Sequence, residues 1–227
     1  MNTSRTVTPI SGEGLDFGGH LRYLRFEGLP SLKALQLSSL VGLKELYVDQ
    51  ETGLSTDQTM KLLSAVAPTL EKLTIDCEDV TGVVASLSLL ARLTRLSLLS
   101  IPASVTSLPL PPSLVSLQFA NDDNLLPILD HWNAEPALFP ATLQHINIRF
   151  VNNFRTLERL PPIAKLGTAY YHNPIELYFR RFAPGTLRFR TLEVYFENRH
   201  SDKIVMVKAE CARLGVAFSR RLEKWKF

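Results

Sequence analysis

The chain has only two cysteines, Cys77 and Cys211, among its 227 residues. Two distant cysteines make no disulfide framework of the kind that stabilises small secreted domains, so we expect reduced thiols. No apolar run reaches the roughly 18 residues that a membrane-spanning helix needs. The opening residues, MNTSRTVTPISGEG, contain no apolar segment of the signal-peptide type. These absences predict a cytoplasmic or nuclear protein without a membrane segment.

The sequence also lacks the common motifs of enzymes and metal sites. It has no G-x-S-x-G nucleophile elbow and no Walker A phosphate-binding motif. Its five histidines are scattered, with no pair at helical spacing and no Cys/His spacing typical of zinc. We therefore expect a non-enzymatic chain with no catalytic residues, no metal and no cofactor, whose function is binding.

Acidic residues are scarce in the C-terminal third of the chain. Residues 149–227 carry 16 Lys and Arg against 7 Asp and Glu, whereas residues 1–148 carry 9 against 15. The overall charge of +3 thus hides a division into −6 and +9, and a chain of two signs can present two different surfaces to partners.

Several arginines of the basic part form a predicted basic patch. Its members are Arg180, Arg181, Arg188 and Arg190. Guanidinium groups bind carboxylate and phosphate in a two-pronged geometry, so we expect an acidic or phosphorylated partner segment there. The alternative, which the sequence leaves open, is that these arginines only keep this part of the chain soluble.

A leucine pattern of the form L-x-x-L-x-L recurs along most of the chain. Copies begin at Leu21, Leu43, Leu70, Leu93, Leu114 and Leu143, with degenerate copies at Ile163 and Phe189, and successive copies are 20 to 29 residues apart. The L-x-L part fits a short strand that buries alternate side chains. One such coil cannot bury its apolar face alone, so repeated coils stack and their strands form a parallel sheet.

The intervals between copies predict the other elements. Strands are expected near residues 25, 47, 74, 97, 118 and 147, with Leu73 and Ile75 buried and Thr74 exposed. A helix is predicted from Ser55, which has a capping-box partner three residues later, and another from about residue 201 to a stop at Gly215. The segment VAFS after it is predicted to form a final strand. Between about 150 and 187, prolines and glycines predict an irregular coil or inserted loop.

The spacing resembles the leucine-rich-repeat superfamily over about residues 21–219. The resemblance implies an α/β fold: a leucine-rich-repeat-like solenoid with a concave parallel sheet and with helices and loops on the convex side. The family's usual asparagine, three residues after the last strand leucine, bonds neighbouring backbones in a ladder. This chain has none there; the equivalent positions are Leu29, Glu51, Glu78, Ile101, Asp122, Val151 and Glu197.

Phrases such as APTLEKLTID, LPPSLVSLQF and VKAECARLGVAFS resemble the divergent repeat domains of fungal F-box-type proteins. In that family the repeat domain holds a substrate, and an N-terminal F-box binds the Skp1 adaptor of a cullin ubiquitin ligase. Residues 1–20, too short for the three helices of an F-box, are expected to be a flexible leader, and residues 21–227 a single irregular leucine-rich-repeat domain. Skp1 and cullin are expected partners only where an F-box lies upstream.

The sequence therefore predicts a non-catalytic protein-binding module. The family resemblance gives a narrower form of this prediction, in which the module is the substrate-recognition part of an F-box-type ubiquitin ligase receptor. The alternative is binding of nucleic acid or an anionic surface through the basic C-terminal half, with nucleic acid the less expected of the partners. The partner is expected on strand positions that face away from the core, where tyrosine and arginine suit protein recognition. These positions are Tyr23, Arg25, Tyr47, Thr74, Arg95, Gln118, His145, Asn147, Arg149 and Tyr195.

Overall fold

In the computed structural model, parallel strands alternate with helices along the chain, so the fold is of the α/β class. The structure describes residues 4–7, 21–26, 40–49, 54–77, 80–170, 175–196 and 201–221. The chain divides into two compact units, residues 1–114 and residues 115–227.

The first unit contains five parallel strands that lie side by side in chain order. They are β1 (Ser4–Val7), β2 (Tyr23–Phe26), β3 (Glu45–Val48), β4 (Lys72–Ile75) and β5 (Arg95–Leu98). Helix α1 (Thr56–Val66) joins β3 to β4, and helix α2 (Thr81–Ser86) joins β4 to β5. Strand β1 lies within the segment predicted to be a leader; the rest of residues 1–20 is outside the described residues.

The second unit repeats this arrangement with five more parallel strands. They are β6 (Ser116–Asn121), β7 (His145–Phe150), β8 (Ile163–Tyr170), β9 (Phe189–Phe196) and β10 (Ala217–Arg221). A helix follows each of the first four: α3 (Leu126–Ala134), α4 (Phe154–Arg159), α5 (Ile175–Phe179) and α6 (Ser201–Leu214). The six predicted strands and the final strand are thus confirmed.

Within a unit the helices lie on one face of the sheet. Parallel neighbours must be joined by a crossover, and such crossovers are nearly always right-handed. When strands also follow one another in chain order, a constant hand places every crossover helix on the same side. The packing of α1 against α2, of α3 against α4 and of α5 against α6 agrees with this.

The same backbone hydrogen bonds recur where the strands begin. The N–H groups of Lys44 and Glu45 both donate to the Arg22 carbonyl oxygen, at 2.9 Å each. Equivalent pairs join residues 71 and 72 to residue 44, residues 94 and 95 to residue 71, residues 144 and 145 to residue 115, and residues 164 and 165 to residue 144. Five of the leucine repeats therefore begin their strands in the same local geometry.

The leucines of the pattern form the core. In the first unit, Leu24, Leu46, Leu73 and Leu96 are neighbours in register across four strands, and none is more than 1% exposed. In the second unit the corresponding row is Leu117, Ile146, Leu166 and Leu192, all at 0%. Alternate positions on each strand point to the opposite face, which fixes the register of the whole sheet.

The predicted burial of Leu73 and Ile75 is confirmed, but the predicted exposure of Thr74 is wrong. Thr74 is only 4% exposed, although it lies on the face opposite the core leucines. Tyr47 stands beside it in register on β3, and the Tyr47 hydroxyl reaches to 3.5 Å from Asp76, further along β4. The ring therefore covers the short threonine side chain, an effect of neighbour size that alternation alone does not describe.

The predicted helix ends are confirmed in α1 and α6. The Ser55 hydroxyl accepts from the Gln58 N–H and the Gln58 side chain accepts from the Ser55 N–H, which completes the capping box. Helix α6 ends at Gly215, whose φ of 73° is in the left-handed region that favours glycine. The Val216 N–H then donates to the Cys211 carbonyl at 2.9 Å, so the chain enters β10 directly.

Gly82 explains how closely α1 and α2 approach. A Cβ atom at this buried position would lie 2.6 Å from the Thr56 carbonyl oxygen of α1, closer than real Cβ atoms come. Glycine therefore lets the two helices pack, even though it lowers the intrinsic helix propensity of α2.

The predicted irregular segment between about 150 and 187 is mostly regular, which corrects the sequence interpretation. Helix α4, strand β8 and helix α5 all fall within it. Prolines at 161 and 162 lie between α4 and β8 rather than inside an element, where the missing N–H does no harm. Prolines 161 and 162 therefore mark a boundary between two elements and not the absence of a repeat.

The first prediction concerns this register. Replacing Leu73 with Ala should lower the free energy of unfolding by about 2–5 kcal/mol, because the side chain is 0% exposed and its loss leaves a cavity. The control is Arg95→Ala, at an exposed position on the neighbouring strand, which should change stability by no more than about 0.5 kcal/mol. Denaturant unfolding of both variants measures the difference. Equal stabilities would show that Leu73 is not a core residue.

Candidate interaction surface on the strand face

The strand positions opposite the core leucines form a second face in each unit, called here the polar strand face. In the first unit its rows are Tyr23, Glu45, Lys72 and Arg95, and then Arg25, Tyr47, Thr74 and Ser97. In the second unit they are His145, Lys165 and Thr191, then Gln118, Asn147, Gly167, Glu193 and Ser219, then Tyr195 and Arg221. Most of these side chains are partly exposed.

The predicted partner-binding residues all belong to this face, five in each unit. Parallel pairing brings Tyr23, Arg25, Tyr47, Thr74 and Arg95 together in the first unit. It brings Gln118, His145 and Asn147 together in the second unit, with Arg149 two residues further along β7 and Tyr195 on β9. Thr74 differs from the rest because it is buried, so it contributes little surface to a partner.

On the first unit the face is organised around Tyr47. The Arg25 guanidinium lies 4.3 Å from the centre of the Tyr47 ring, a cation–π contact. Burial raises the pKa of the Tyr47 hydroxyl, and the nearby Asp76 carboxylate raises it further. The phenol therefore stays protonated at neutral pH and acts as a hydrogen-bond donor.

Two ion pairs lie on or beside the first unit's face. Lys72 and Glu45, neighbours in register, form an ion pair at 3.3 Å. At the edge of the face, Lys44 pairs with Glu71, and this pairing lowers the pKa of the Glu71 carboxyl. This face therefore combines an aromatic centre with arginine side chains, two residue types that are enriched in protein interfaces.

On the second unit the face is organised around a buried carboxylate, Glu193, which is only 5% exposed. Its Oε1 accepts a hydrogen bond from Arg221 Nε at 2.7 Å and lies 3.6 Å from Lys165 Nζ. Its Oε2 accepts from the Tyr195 hydroxyl at 3.2 Å. One negative charge therefore holds two positive ones, from the strands on either side of β9.

At the centre of this face, strand β8 carries Gly167, which has no side chain. A Cβ atom on Gly167 would lie 2.0 Å from Asn147 Oδ1. Asn147 can therefore fold its amide over β8 only because residue 167 has no side chain. Nearby, burial lowers the pKa of His145, and the positive charge of Lys165 lowers it further against the smaller opposing effect of Glu193. His145 is accordingly neutral at pH 7.

The residues of the predicted basic patch lie apart from this face and contact different helices. Arg180 Nε lies 3.5 Å from Glu210 of α6, and the Arg181 guanidinium lies 4.7 Å from the centre of the Phe154 ring of α4. Arg188 donates to Asn133 Oδ1 of α3 at 2.9 Å. Arg190 is exposed at the start of β9. Three of the four thus engage helices of their own unit.

Asp122 links the turns that follow two neighbouring strands. This carboxylate is 1% exposed and accepts from the backbone N–H groups of Asn152 and Asn153, at 2.7 and 3.0 Å. Burial raises the pKa of the Asp122 carboxyl, and these two backbone hydrogen bonds oppose the rise. Its oxygens join the turn after β6 to the turn after β7.

Lys165 and Arg221, which shape the second unit's face, were not among the residues predicted from the sequence. The degenerate repeat at Ile163 contained the signal for Lys165, because extending L-x-x-L from that position places residue 165 opposite the core. For Arg221 the signal was the predicted final strand, whose alternation from Phe218 also reaches this face.

No protein-family model matches the chain, and no curated protein matches it significantly. Among the described residues there is no group of three or more His, Cys, Asp or Glu side chains placed to hold a metal ion. Nor does any helix in the described ranges have the length and apolar character needed to cross a bilayer.

The second prediction concerns Asp122. Replacing it with Ala should lower the free energy of unfolding by about 1–2 kcal/mol, because the two N–H groups lose a charged acceptor. The control is Asp123→Ala, which removes the neighbouring exposed carboxylate and its single bond to the Asn152 side chain. Chemical denaturation should separate the two variants. A loss for Asp123→Ala as large as that for Asp122→Ala would contradict the bridging role.

The third prediction concerns the two thiols. Cys211 is 0% exposed, and burial raises its pKa to about 12, so almost no reactive thiolate forms at pH 8. Cys77 is partly exposed and should react with a thiol reagent much faster. Labelling of Cys77→Ser and Cys211→Ser variants, each with one thiol, separates the rates. Fast labelling of Cys211 in the native protein would show that α6 opens readily.

Proposed function

We propose that this chain is a non-catalytic protein-binding module of the leucine-rich-repeat type, which binds its partner on the polar strand face. The observation that carries the proposal is the composition of that face: tyrosine, arginine and paired charges lie in register on strands whose other side is leucine. Aromatic and arginine side chains dominate the energetics of protein interfaces. The face also lies opposite the helices of each unit, so no crossover helix obstructs a partner there.

The repeat assignment has two further supports. The recurrent hydrogen bonds at strand entry follow the leucine spacing from one repeat to the next. Asp122 stands at the position where leucine-rich repeats usually carry asparagine, and its side chain bonds the backbone of the next repeat. A carboxylate can replace the asparagine here because both of its partners are N–H donors. We infer on this basis a solenoid with a concave sheet.

The resemblance to the repeat domains of fungal F-box-type proteins supports a narrower form of the proposal. In that form the bound partner is a substrate of a ubiquitin ligase, and attachment to Skp1 and cullin needs an F-box outside residues 21–227. Mixing the purified chain with purified Skp1 tests attachment by the chain itself. Substrate recognition without Skp1 binding is the expected result for a repeat domain alone.

The fourth prediction tests the binding face. A partner is first identified by affinity capture with the full chain, and its affinity is then measured with purified components. Tyr47→Ser and Tyr195→Ser should each weaken binding by at least about tenfold, as for truncated aromatic residues at interface centres. Val205→Ser is the control, since Val205 is 69% exposed on helix α6. Loss of binding in the control alone would move the interface to the helices.

A second candidate function is binding of nucleic acid or another anionic surface through the basic C-terminal half. The observation in its favour is the surplus of 16 basic over 7 acidic residues in 149–227. Binding of this kind depends steeply on salt because it releases counterions from the polyanion. Titration of the full chain with single-stranded DNA at rising salt tests it, and tight binding that disappears at high salt would favour this candidate.

A further inference from the structure

We propose that the edge of the first unit at which strands β2 to β5 begin binds an extended acidic segment of the protein partner. The segment carries two Asp or Glu side chains four residues apart, and their carboxylates bind the two ends of this edge. The inference deepens the proposed function and rests on it, because the edge borders the polar strand face. We call it the strand-entry edge, and its charged residues are Arg22, Lys44, Glu45, Glu71, Lys72, Arg92 and Arg95.

The backbone stacks the positions of this edge in line. The hydrogen bonds at strand entry join residue 44 to residue 22, residue 71 to residue 44 and residue 94 to residue 71. The next positions along the strands, 23, 45, 72 and 95, are neighbours in register. Adjacent strands lie about 4.8 Å apart, so three such spacings place the β2 and β5 ends of the edge about 14 Å apart.

In the middle of the edge the charges cancel. Lys72 of β4 pairs with Glu45 of β3 at 3.3 Å. Lys44, just before β3, pairs with Glu71, just before β4. Each of these two repeats therefore contributes one cation and one carboxylate, and the pairs that cross between them leave no surplus charge.

Both ends of the edge are positive. At β2, the Arg22 guanidinium donates a hydrogen bond to the Gly42 carbonyl oxygen at 2.9 Å, which orients the group and uses one of its five N–H donors. At β5, the side chains of Arg92 and Arg95 are exposed. The two carboxylates that the structure describes on this edge are paired with lysines instead.

The ends and the middle of the edge lie within one electrostatic field. The hydrogen bond from Lys44 has the largest effect on the pKa of the Glu71 carboxyl, which it lowers, and the charges of Arg92 and Arg22 lower this pKa further. Among the described residues the edge carries five cations and two carboxylates, although residues 1–148 have a net charge of −6. A basic edge therefore forms within the acidic part of the chain, because folding gathers residues from four successive repeats.

This arrangement of charge selects a spacing. In an extended segment, alternate side chains point the same way and the chain advances about 3.4 Å per residue, so side chains four residues apart are about 14 Å apart. Two carboxylates at that spacing reach Arg22 at one end and the arginines of β5 at the other. The side chain midway between them lies over the neutral ion pairs, where a third carboxylate meets Glu45 and Glu71.

The same arrangement favours a protein segment over a nucleic acid. A nucleic acid carries a negative charge at every nucleotide, so some of its phosphates would lie over Glu45 and Glu71 in the middle of the edge. A peptide can place its acidic side chains at the ends alone. Because the Gly42 carbonyl already orients Arg22, binding there costs less side-chain freedom.

The test uses the full chain and three fluorescent synthetic peptides of equal length, with Ser and Thr at the remaining positions. The first carries two Glu residues four positions apart, the second carries two adjacent Glu residues, and the third carries Gln in place of both Glu residues of the first. In about 0.1 M salt, fluorescence anisotropy should show that the spaced-Glu peptide binds at least about tenfold more tightly than the Gln peptide. It should also bind about fivefold more tightly than the adjacent-Glu peptide, because adjacent side chains of an extended segment point to opposite faces and reach only one end.

Removing either end of the edge should weaken binding of the spaced-Glu peptide by about fivefold, the upper range for one exposed charge pair. Arg22→Gln removes the β2 end, and Arg92→Gln together with Arg95→Gln removes the β5 end. Arg22→Lys keeps the charge and should retain most of the affinity. The matched control is Lys61→Gln, which removes an exposed positive charge from helix α1 of the same unit. It should change the affinity by less than about twofold, since separated surface charges are screened by salt.

Thermal unfolding of each variant shows whether it is folded. If Arg22→Gln is not folded, the β5 double variant carries the comparison with Lys61→Gln, because both of its arginines are exposed.

The outcomes separate this inference from the proposed function. Absence of binding by the spaced-Glu peptide, equal affinity of the spaced-Glu and adjacent-Glu peptides, or equal weakening by Lys61→Gln and the β5 double variant would overturn it. If Tyr47→Ser abolishes partner binding while Arg22→Gln and the β5 double variant leave it unchanged, the module function stands and the acidic contact does not. Tighter binding of single-stranded DNA than of the spaced-Glu peptide, lost in the same variants, would assign the edge to nucleic acid.

Discussion

The structure depends on one constraint: each short strand buries a single face, and its neighbours run parallel to it. Parallel strands in chain order force every crossover onto the same side, where the leucine rows and the helices form the core. The opposite face of each unit's sheet then has no crossover to cover it, so its residues must be compatible with water. The same constraint that creates the core therefore leaves each unit with a polar strand face that no crossover covers.

Buried and partly buried polar groups connect successive repeats in this fold. Asp122 joins the turn after β6 to the backbone after β7. Asn133 of α3 donates to the Arg159 carbonyl at the end of α4 and accepts from Arg188 before β9. Glu193 serves the same purpose on the polar strand face. A single repeat cannot satisfy these groups, so they are satisfied only when neighbours stack, which makes polar contacts a second determinant of register besides the leucine rows.

The leucine spacing was sufficient to predict the strands, because a two-residue period with one apolar face leaves little choice of register. It was not sufficient for Thr74, because the burial of Thr74 depends on Tyr47 of the neighbouring strand. The pattern within one strand does not show how large the side chains of its neighbours are. The segment with prolines 161 and 162 was predicted as irregular because proline was read without its position relative to β8. Lys165 and Arg221 were missed for a related reason: their importance comes from sharing Glu193, and residues 165, 193 and 221 meet only after three strands have aligned.

Charge counted along the sequence likewise could not locate the candidate site. The basic surplus of residues 149–227 is distributed over both sides of the second unit, since Arg180 and Arg188 engage helices while Lys165 and Arg221 lie on the strands. On the strands, a single buried carboxylate, Glu193, contacts one cation from β8 and one from β10 through the same oxygen. Because these three residues are far apart in the sequence, the contact forms only when the three strands lie in register, and a charge count along the chain cannot show it.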